Sequence, residues 1–210
     1  MLIGCSWNQQ TSGSRLQTEN GLKQHHGSKS GLLIDNGINR GTGYTDALGT
    51  KVNIRYIPIT ITNDSTIPIR FQIAFLNEYD HTGSYGNQNF KLIPLPKQWA
   101  LDGMEITDSM MNALPKYIDK PLFNKILVPG EKCVFGIATL YSPTNYGPVP
   151  NALFSHRNRG RFRECDSLIS QNESINHHLA LELKLDFYRW SQPPESCTII
   201  PCGQISYPGQ

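Results

Sequence analysis

The sequence is poor in charge and has no long apolar run. Charged residues make up 17% of its 210 residues, whereas about 25% is typical of soluble proteins. The net charge of +2 provides no strong field for nucleic acid, so we predict no nucleic-acid partner. No apolar stretch approaches the roughly 18 residues that a membrane-spanning helix needs.

Recognisable catalytic motifs are also missing. The sequence contains no G-x-S-x-G, H-E-x-x-H or G-x-G-x-x-G motif and no phosphate-binding P-loop. Cys133 is a candidate nucleophile, but its apolar neighbours in a predicted strand disfavour the thiolate. We therefore predict no catalytic residue, no cofactor and no enzymatic activity. An enzyme of unrecognised type is the last of three functional alternatives.

Alternation of apolar and polar residues with a period of two dominates the rest of the chain. This period is typical of β-strands. The predicted strands cover residues 51–61, 67–76, 90–95, 132–141, 179–188 and 197–205. A single short helix is predicted near residues 107–118, capped by Thr107 or Asp108. The pattern predicts a mainly β protein, a single antiparallel β-sandwich over residues 51–210.

Two segments carry a resemblance to bacterial immunoglobulin-like domains from outside the cytoplasm. One is Ile-Thr-Ile-Thr-Asn-Asp-Ser-Thr-Ile-Pro-Ile at residues 59–69, and the other is Pro-Gly-Glu followed by a strand at residues 129–140. The resemblance implies an immunoglobulin-like sandwich. It indicates a fold and not an activity, because both segments contain turn sequences that recur in many unrelated β-sandwiches.

The N-terminal region has a different composition from the predicted sandwich. Residues 6–50 are rich in Gly, Ser, Thr, Asn and Gln and contain one apolar patch, Leu32-Leu33-Ile34. Such a segment buries too little apolar surface to offset its ordering entropy. We predict a polar, flexible tether over residues 6–50.

Leu2-Ile3-Gly4-Cys5 resembles the lipobox of bacterial lipoproteins. Lipoprotein signal peptides are cut just before such a cysteine, so the resemblance implies that residues 1–5 are a signal-peptide remnant and that Cys5 carries the lipid. The basic and apolar regions of a signal peptide do not precede Leu2 in this sequence. The implied location is the bacterial cell envelope, at a membrane facing the periplasm or the exterior. The alternative is an ordinary thiol near the terminus.

The remaining four cysteines are an even number, which favours disulfides in a secreted protein. They allow three connectivities, of which we favour Cys133–Cys165 and Cys197–Cys202. Free buried thiols are the alternative. A metal site is not predicted, because neither these cysteines nor the adjacent histidine pairs have a zinc-ligand spacing.

Two groups of residues are candidate binding sites. Four closely spaced arginines could bind an anion such as a lipid head group, unless they form only a solvated loop. They are Arg157, Arg159, Arg161 and Arg163. A second group, in a predicted polar loop and beyond it, could form a rim for a sugar or peptide. Its members are Tyr79, His81, Tyr85 and Trp99.

These observations favour a binding or structural function over catalysis. The leading prediction is a lipid-anchored envelope protein that contacts the membrane surface through its lipid and binds a protein or glycan partner. The runner-up is a secreted or periplasmic inhibitor or accessory domain acting through the predicted loop at residues 142–176.

Overall fold

The structure is a computed structural model that describes residues 31–45, 48–83, 86–101, 105–143, 149–157, 179–188 and 197–208. These residues form eleven β-strands, one α-helix and one 3-10 helix. The strands are β1 (Leu32–Asn36), β2 (Arg40–Thr45), β3 (Lys51–Asn63), β4 (Ile69–Ala74), β5 (Tyr79–Gly83), β6 (Gly86–Leu95), β7 (Leu122–Leu127), β8 (Lys132–Tyr141), β9 (Val149–His156), β10 (Ala180–Tyr188) and β11 (Cys197–Ser206). The helices are the 3-10 helix η1 (Lys97–Ala100) and α1 (Asp108–Ile118).

The strands form two antiparallel sheets. Sheet A has the order β1-β3-β8-β6-β5, and β2 also pairs with β3. Sheet B has the order β7-β4-β11-β10-β9. The prediction of a mainly β, antiparallel sandwich with one short helix is confirmed, whereas the immunoglobulin-like arrangement stays a prediction.

The core lies between the inner faces of the two sheets. Alternate residues of β3, Ile57, Ile59 and Ile61, point into it, as the period of two requires. Aromatic rings fill its centre: the ring of Phe135 stacks on Phe123 with centroids 5.0 Å apart and meets Phe154 edge-on at 6.1 Å. The aromatic pairs lock the sheets together beyond what burial of apolar area alone provides.

Pro58 occupies an interior strand, where a missing N–H normally weakens the sheet. One side of β3 pairs with β2 as far as Tyr56 and with β1 from Ile59 onward, so Pro58 lies between the two partner strands. The Pro58 carbonyl accepts a bond of 2.7 Å from the Gly37 N–H in the β1–β2 connection. The proline nitrogen faces the same gap, so no ladder hydrogen bond is lost. A Cβ at Gly37 would lie 3.1 Å from the Pro58 Cβ, so a larger residue there would crowd the proline ring.

Two asparagine side chains cover the outer edge of β9. Asn36 donates to the Phe154 carbonyl at 2.7 Å and accepts from the Phe154 N–H at 2.8 Å. Asn39 repeats this arrangement with the backbone of Ala152, at 3.2 and 3.0 Å. Each amide therefore takes the place of one residue of a neighbouring strand. The His156 Nε2 lies 2.8 Å from the Leu32 carbonyl and extends the same seam, which joins sheet B to β1 of sheet A.

Helix α1 covers the outer face of sheet A. Thr107 caps it, as predicted, by accepting a bond of 3.3 Å from the Met110 N–H. Pro115 lies inside the last turn, where its ring removes the bond to the Met111 carbonyl. The helix buries Leu114 against a second apolar cluster with Tyr56 and Trp99.

Several predicted loops are strands. The tether prediction is wrong for residues 31–45, because β1 and β2 pair along β3, whereas residues 6–30 lie outside the described residues. The polar loop predicted at residues 77–88 contains β5 and the start of β6. Strand β9 occupies part of the loop predicted at residues 142–176, and β7 was not predicted.

Both predicted disulfides are wrong. Cys133 and Cys202 are buried free thiols, one in the core at β8 and the other at β11. Burial raises the pKa of both thiols, so both stay protonated and unreactive. Cys197 is disulfide-bonded, and Cys165 lies outside the described residues.

Candidate functional site

A cleft lies on the outer face of sheet A beside the C-terminal end of α1. Its volume is about 350 Å³, within the range of roughly 300–1,000 Å³ that small-ligand pockets occupy. We call it the α1 cleft. Its lining residues are Tyr44, Val52, Glu78, Asn89, Phe90, Lys91, Pro115, Ile118, Asp119, Leu140, Tyr141 and Ser142.

The floor of the α1 cleft is the sheet itself. Cross-strand register places Tyr44 beside Val52, and Leu140 beside Lys91. Val52 and Leu140 share their face of the sheet with the apolar cluster under α1. The cleft therefore begins where the helix stops covering this cluster, and its floor is apolar.

Helix α1 supplies one wall. Pro115, Ile118 and Asp119 belong to its last turn and C-cap, and the Asp119 N–H donates to the Pro115 carbonyl at 3.0 Å. The helix ends at Ile118, and Pro121 follows three residues later, where proline commonly lies just beyond a helix end. The position of the wall thus follows from the sequence of α1.

The rim of the α1 cleft carries polar groups of both signs. Lys91, Glu78 and Asp119 are exposed there. The Asn89 amide donates to the Glu78 carboxylate at 3.4 Å. Within the described part of the chain, neither Lys91 nor Asp119 forms an ion pair, so both remain available to a ligand.

A smaller cleft of about 170 Å³ lies on the other side of the helix. It is lined by Trp99 and Tyr117 together with Pro96, Gln98, Ser109, Met110 and Ala113. Its volume is below the usual range for a small-ligand site, and no charged side chain lines it. The α1 cleft is therefore the stronger candidate.

The predicted rim of Tyr79, His81, Tyr85 and Trp99 does not come together as a surface. Trp99 is only 2% exposed and packs edge-on against Tyr56, with centroids 5.7 Å apart. His81 is 6% exposed, and burial lowers its pKa. Tyr79 stacks on Phe90 at 5.5 Å, and its hydroxyl accepts from the Leu76 N–H. Tyr85 lies outside the described residues.

The predicted anion site is described only at its first residue. Arg157 directly follows β9, and its backbone N–H donates to the Ala180 carbonyl at 2.9 Å. Arg159, Arg161 and Arg163 lie outside the described residues, as does the predicted lipid site Cys5. The anion site therefore stays a prediction.

Sheet B carries a buried charged group that the sequence analysis did not identify. Leu181, Leu183 and Leu185 of β10 face the core, which leaves Glu182, Lys184 and Asp186 on the opposite face. All three are buried, and the Lys184 Nζ lies 3.3 Å from a Glu182 carboxylate oxygen. We interpret this pair as structural, because no described cleft reaches it.

The described part of the chain contains neither a metal-ligand cluster nor a membrane-spanning helix. No group of three or more His, Cys, Asp or Glu side chains there is placed to hold a metal ion. No helix there is long and apolar enough to cross a membrane.

Known proteins provide no assignment for this chain. No protein family, curated protein sequence or solved structure matches it. Its function must be inferred from the α1 cleft and from the sequence.

Proposed function

We propose that this protein is a lipid-anchored protein of the bacterial cell envelope that binds a neutral carbohydrate in the α1 cleft. The observation that carries the proposal is the cleft itself, an opening of about 350 Å³ with an apolar floor and a polar rim. Binding sites for small molecules usually combine these two features.

The floor suits the apolar face of a sugar ring. Tyr44, Val52 and Leu140 offer aromatic and aliphatic surface on adjacent strands of sheet A. Tyrosine combines a flat apolar body with a hydroxyl that can hydrogen-bond at the ligand. A pyranose ring has the same combination of apolar C–H groups and peripheral hydroxyls.

The rim favours a neutral ligand over a charged one. Lys91 donates hydrogen bonds, whereas Glu78 and Asp119 accept them. A ligand of one charge sign would meet a like charge at the rim. Sugar hydroxyls both donate and accept, so they can satisfy Lys91 and the carboxylates together, and Asn89 and Ser142 add neutral groups to the same rim.

The proposed location has two supports. The first is the lipobox-like Leu2-Ile3-Gly4-Cys5, in which Cys5 would carry the lipid. The second is the disulfide at Cys197, since disulfides persist in oxidising compartments such as the periplasm. A tethered carbohydrate-binding domain at the envelope surface combines the two.

The binding part of the proposal is tested on a microarray of neutral and acidic oligosaccharides. We expect wild-type protein to bind neutral glycans and Lys91→Ala to lose at least part of that binding. Lys97→Ala is the matched control, because Lys97 is also exposed but does not line the cleft. Absence of binding to every neutral glycan, or equal losses in both variants, would refute the assignment.

The location is tested separately by membrane fractionation of the full-length gene product. We expect wild-type protein in the membrane fraction and Cys5→Ala in the soluble fraction. The variant should bind glycans as the wild type does, because residue 5 lies far along the chain from every cleft residue. Equal partition of the two proteins would contradict lipidation at Cys5.

A further inference from the structure

Strand β7 forms an edge of sheet B with unusual apolar exposure. It pairs with β4 on one side, and none of the described strands pairs with its other side. On its outer face Leu122 is 55% exposed and Ile126 is 45% exposed, and Val128 just beyond the strand is 54% exposed. An open strand edge with exposed aliphatic residues is a template for pairing with another strand.

The two edge strands of sheet B, β9 and β7, differ in how many of their outward backbone groups are already hydrogen-bonded. Asn36 and Asn39 occupy the backbone groups of β9 at the other edge. Two backbone groups near the ends of β7 are occupied. The Leu122 N–H donates to the Lys120 carbonyl at 2.7 Å, and the Leu127 carbonyl accepts from the Asn63 amide at 2.9 Å. This leaves the backbone groups between them, at residues 123–126, as the available edge.

The positive charge of Lys125, which would normally oppose strand pairing at this edge, is partly offset by Glu131. Lysine on an edge strand opposes pairing because a second strand would bring like charges together. The ammonium of Lys125 lies 2.9 Å from the Glu131 carboxylate in the turn after β7. That contact raises the pKa of Lys125 and lowers the pKa of Glu131, so both groups stay charged at neutral pH and Glu131 offsets part of the positive charge that Lys125 presents to a second strand.

We propose that β7 pairs with β7 of a second copy of this chain, in an antiparallel register centred on Asn124. In this register Leu122 lies opposite the partner's Ile126, and Asn124 lies opposite itself. Lys125 lies opposite the partner's Phe123. Apolar residues then meet apolar residues on the outer face, and the central amides can hydrogen-bond. The two copies would share one sheet of ten strands across a two-fold axis.

The alternative register centred on Lys125 is less favourable. It places the two lysines directly opposite each other, and like charges opposite each other destabilise a strand pair. It also places Asn124 opposite Ile126, which mixes polar and apolar side chains on the outer face. The β7 sequence therefore selects the Asn124-centred register.

The register is tested with Asn124→Cys in the full chain under mild oxidation. Residues directly opposite in an antiparallel pair have Cα atoms about 4.5–5.5 Å apart, within the disulfide range of about 4.4–6.8 Å. We expect a covalent dimer on a non-reducing gel. Leu122→Cys is the control. Residue 122 lies opposite residue 126 of the second copy, four residues along the strand from that copy's residue 122, so the two cysteines would be about 13 Å apart. Equal cross-linking of both variants, or of neither, would overturn the register.

The association itself is tested by light scattering after size exclusion. We expect twice the monomer mass of 23.6 kDa for the wild-type chain and the monomer mass for Ile126→Lys. Ile38→Lys is the matched control, since Ile38 is 82% exposed outside β7, and it should remain dimeric. A monomeric wild type, or a monomeric control, would overturn the proposal whatever the glycan array shows.

Discussion

Substitution of Asn36 by alanine should lower the free energy of unfolding more than the same substitution at an exposed asparagine does. The Asn36 side chain makes two hydrogen bonds to the backbone of Phe154, at 2.7 and 2.8 Å. Phe154 itself is fully buried in the core. Alanine leaves the N–H and the carbonyl of Phe154 without these partners, in a position where water has little access.

The size of the effect follows from the two orphaned groups. A buried donor or acceptor left without a partner costs about 1–3 kcal/mol. Two such groups, with some relaxation of the edge, give a loss of about 2–4 kcal/mol in the free energy of unfolding. Because single domains are stable by only about 5–15 kcal/mol, this is a large fraction of the total. Asn36→Asp should lose a similar amount, since its carboxylate cannot donate to the Phe154 carbonyl.

Urea unfolding followed by circular dichroism measures the loss. With a slope of about 2 kcal/mol per molar, the Asn36→Ala midpoint should fall by roughly 1–2 M. Asn112→Ala is the control, because Asn112 is exposed on α1 and alanine favours helix. A loss below about 0.5 kcal/mol, the size expected for an exposed site, would refute the role of Asn36 at the β9 edge.

Three further predictions concern buried polar groups. Burial lowers the pKa of His81 below 6.5, so the unfolded chain takes up a proton first and the free energy of unfolding should fall as the pH drops below 6.5. Urea unfolding at a series of pH values should show a weaker fall in His81→Gln. An unchanged pH profile in that variant would contradict the prediction. Glu182→Gln should cost about 3–5 kcal/mol in the same assay by removing the carboxylate that lies 3.3 Å from the Lys184 ammonium. Glu182→Leu combined with Lys184→Met should cost much less, and equal losses would argue against the ion pair. Mass spectrometry should find Cys133 and Cys202 unmodified after brief alkylation of native protein and modified after unfolding without reductant; rapid native labelling would show that they are accessible.

The long alternating segments could be predicted from the sequence because burial on one face imposes a period of two. Strands β3, β8 and β10 lie within a few residues of their predicted positions. The β10 pattern was incomplete in one respect. Lys184 reads as a solvent-facing residue, yet it is buried, and only tertiary packing could show that.

The strands that could not be predicted are those whose stability comes from their neighbours. Strand β2 reads Arg-Gly-Thr-Gly-Tyr-Thr and has little apolar surface of its own, but its backbone pairs along β3. Strand β9 contains Pro150 and depends on β10 and on the amides of Asn36 and Asn39. Composition alone made both segments look like loops.

The candidate site was the least predictable part. Tyr79, Trp99 and His81 were selected as exposed polar and aromatic residues, but Trp99 and His81 are buried. The α1 cleft instead combines residues from β2, β3, β6, β8 and the end of α1. Residues so distant in sequence come together only through the order of strands in sheet A, which no local pattern encodes.

The most direct test of the proposed function is a titration of isotopically labelled protein with a neutral oligosaccharide selected from the array, followed by amide resonances. We predict shifts concentrated at Tyr44, Val52, Asn89, Lys91 and Asp119, which line the α1 cleft. The amides of β7 should not move, because they belong to a different sheet. Shifts that map elsewhere, or no shifts at saturating sugar, would contradict the claim that this cleft is the binding site.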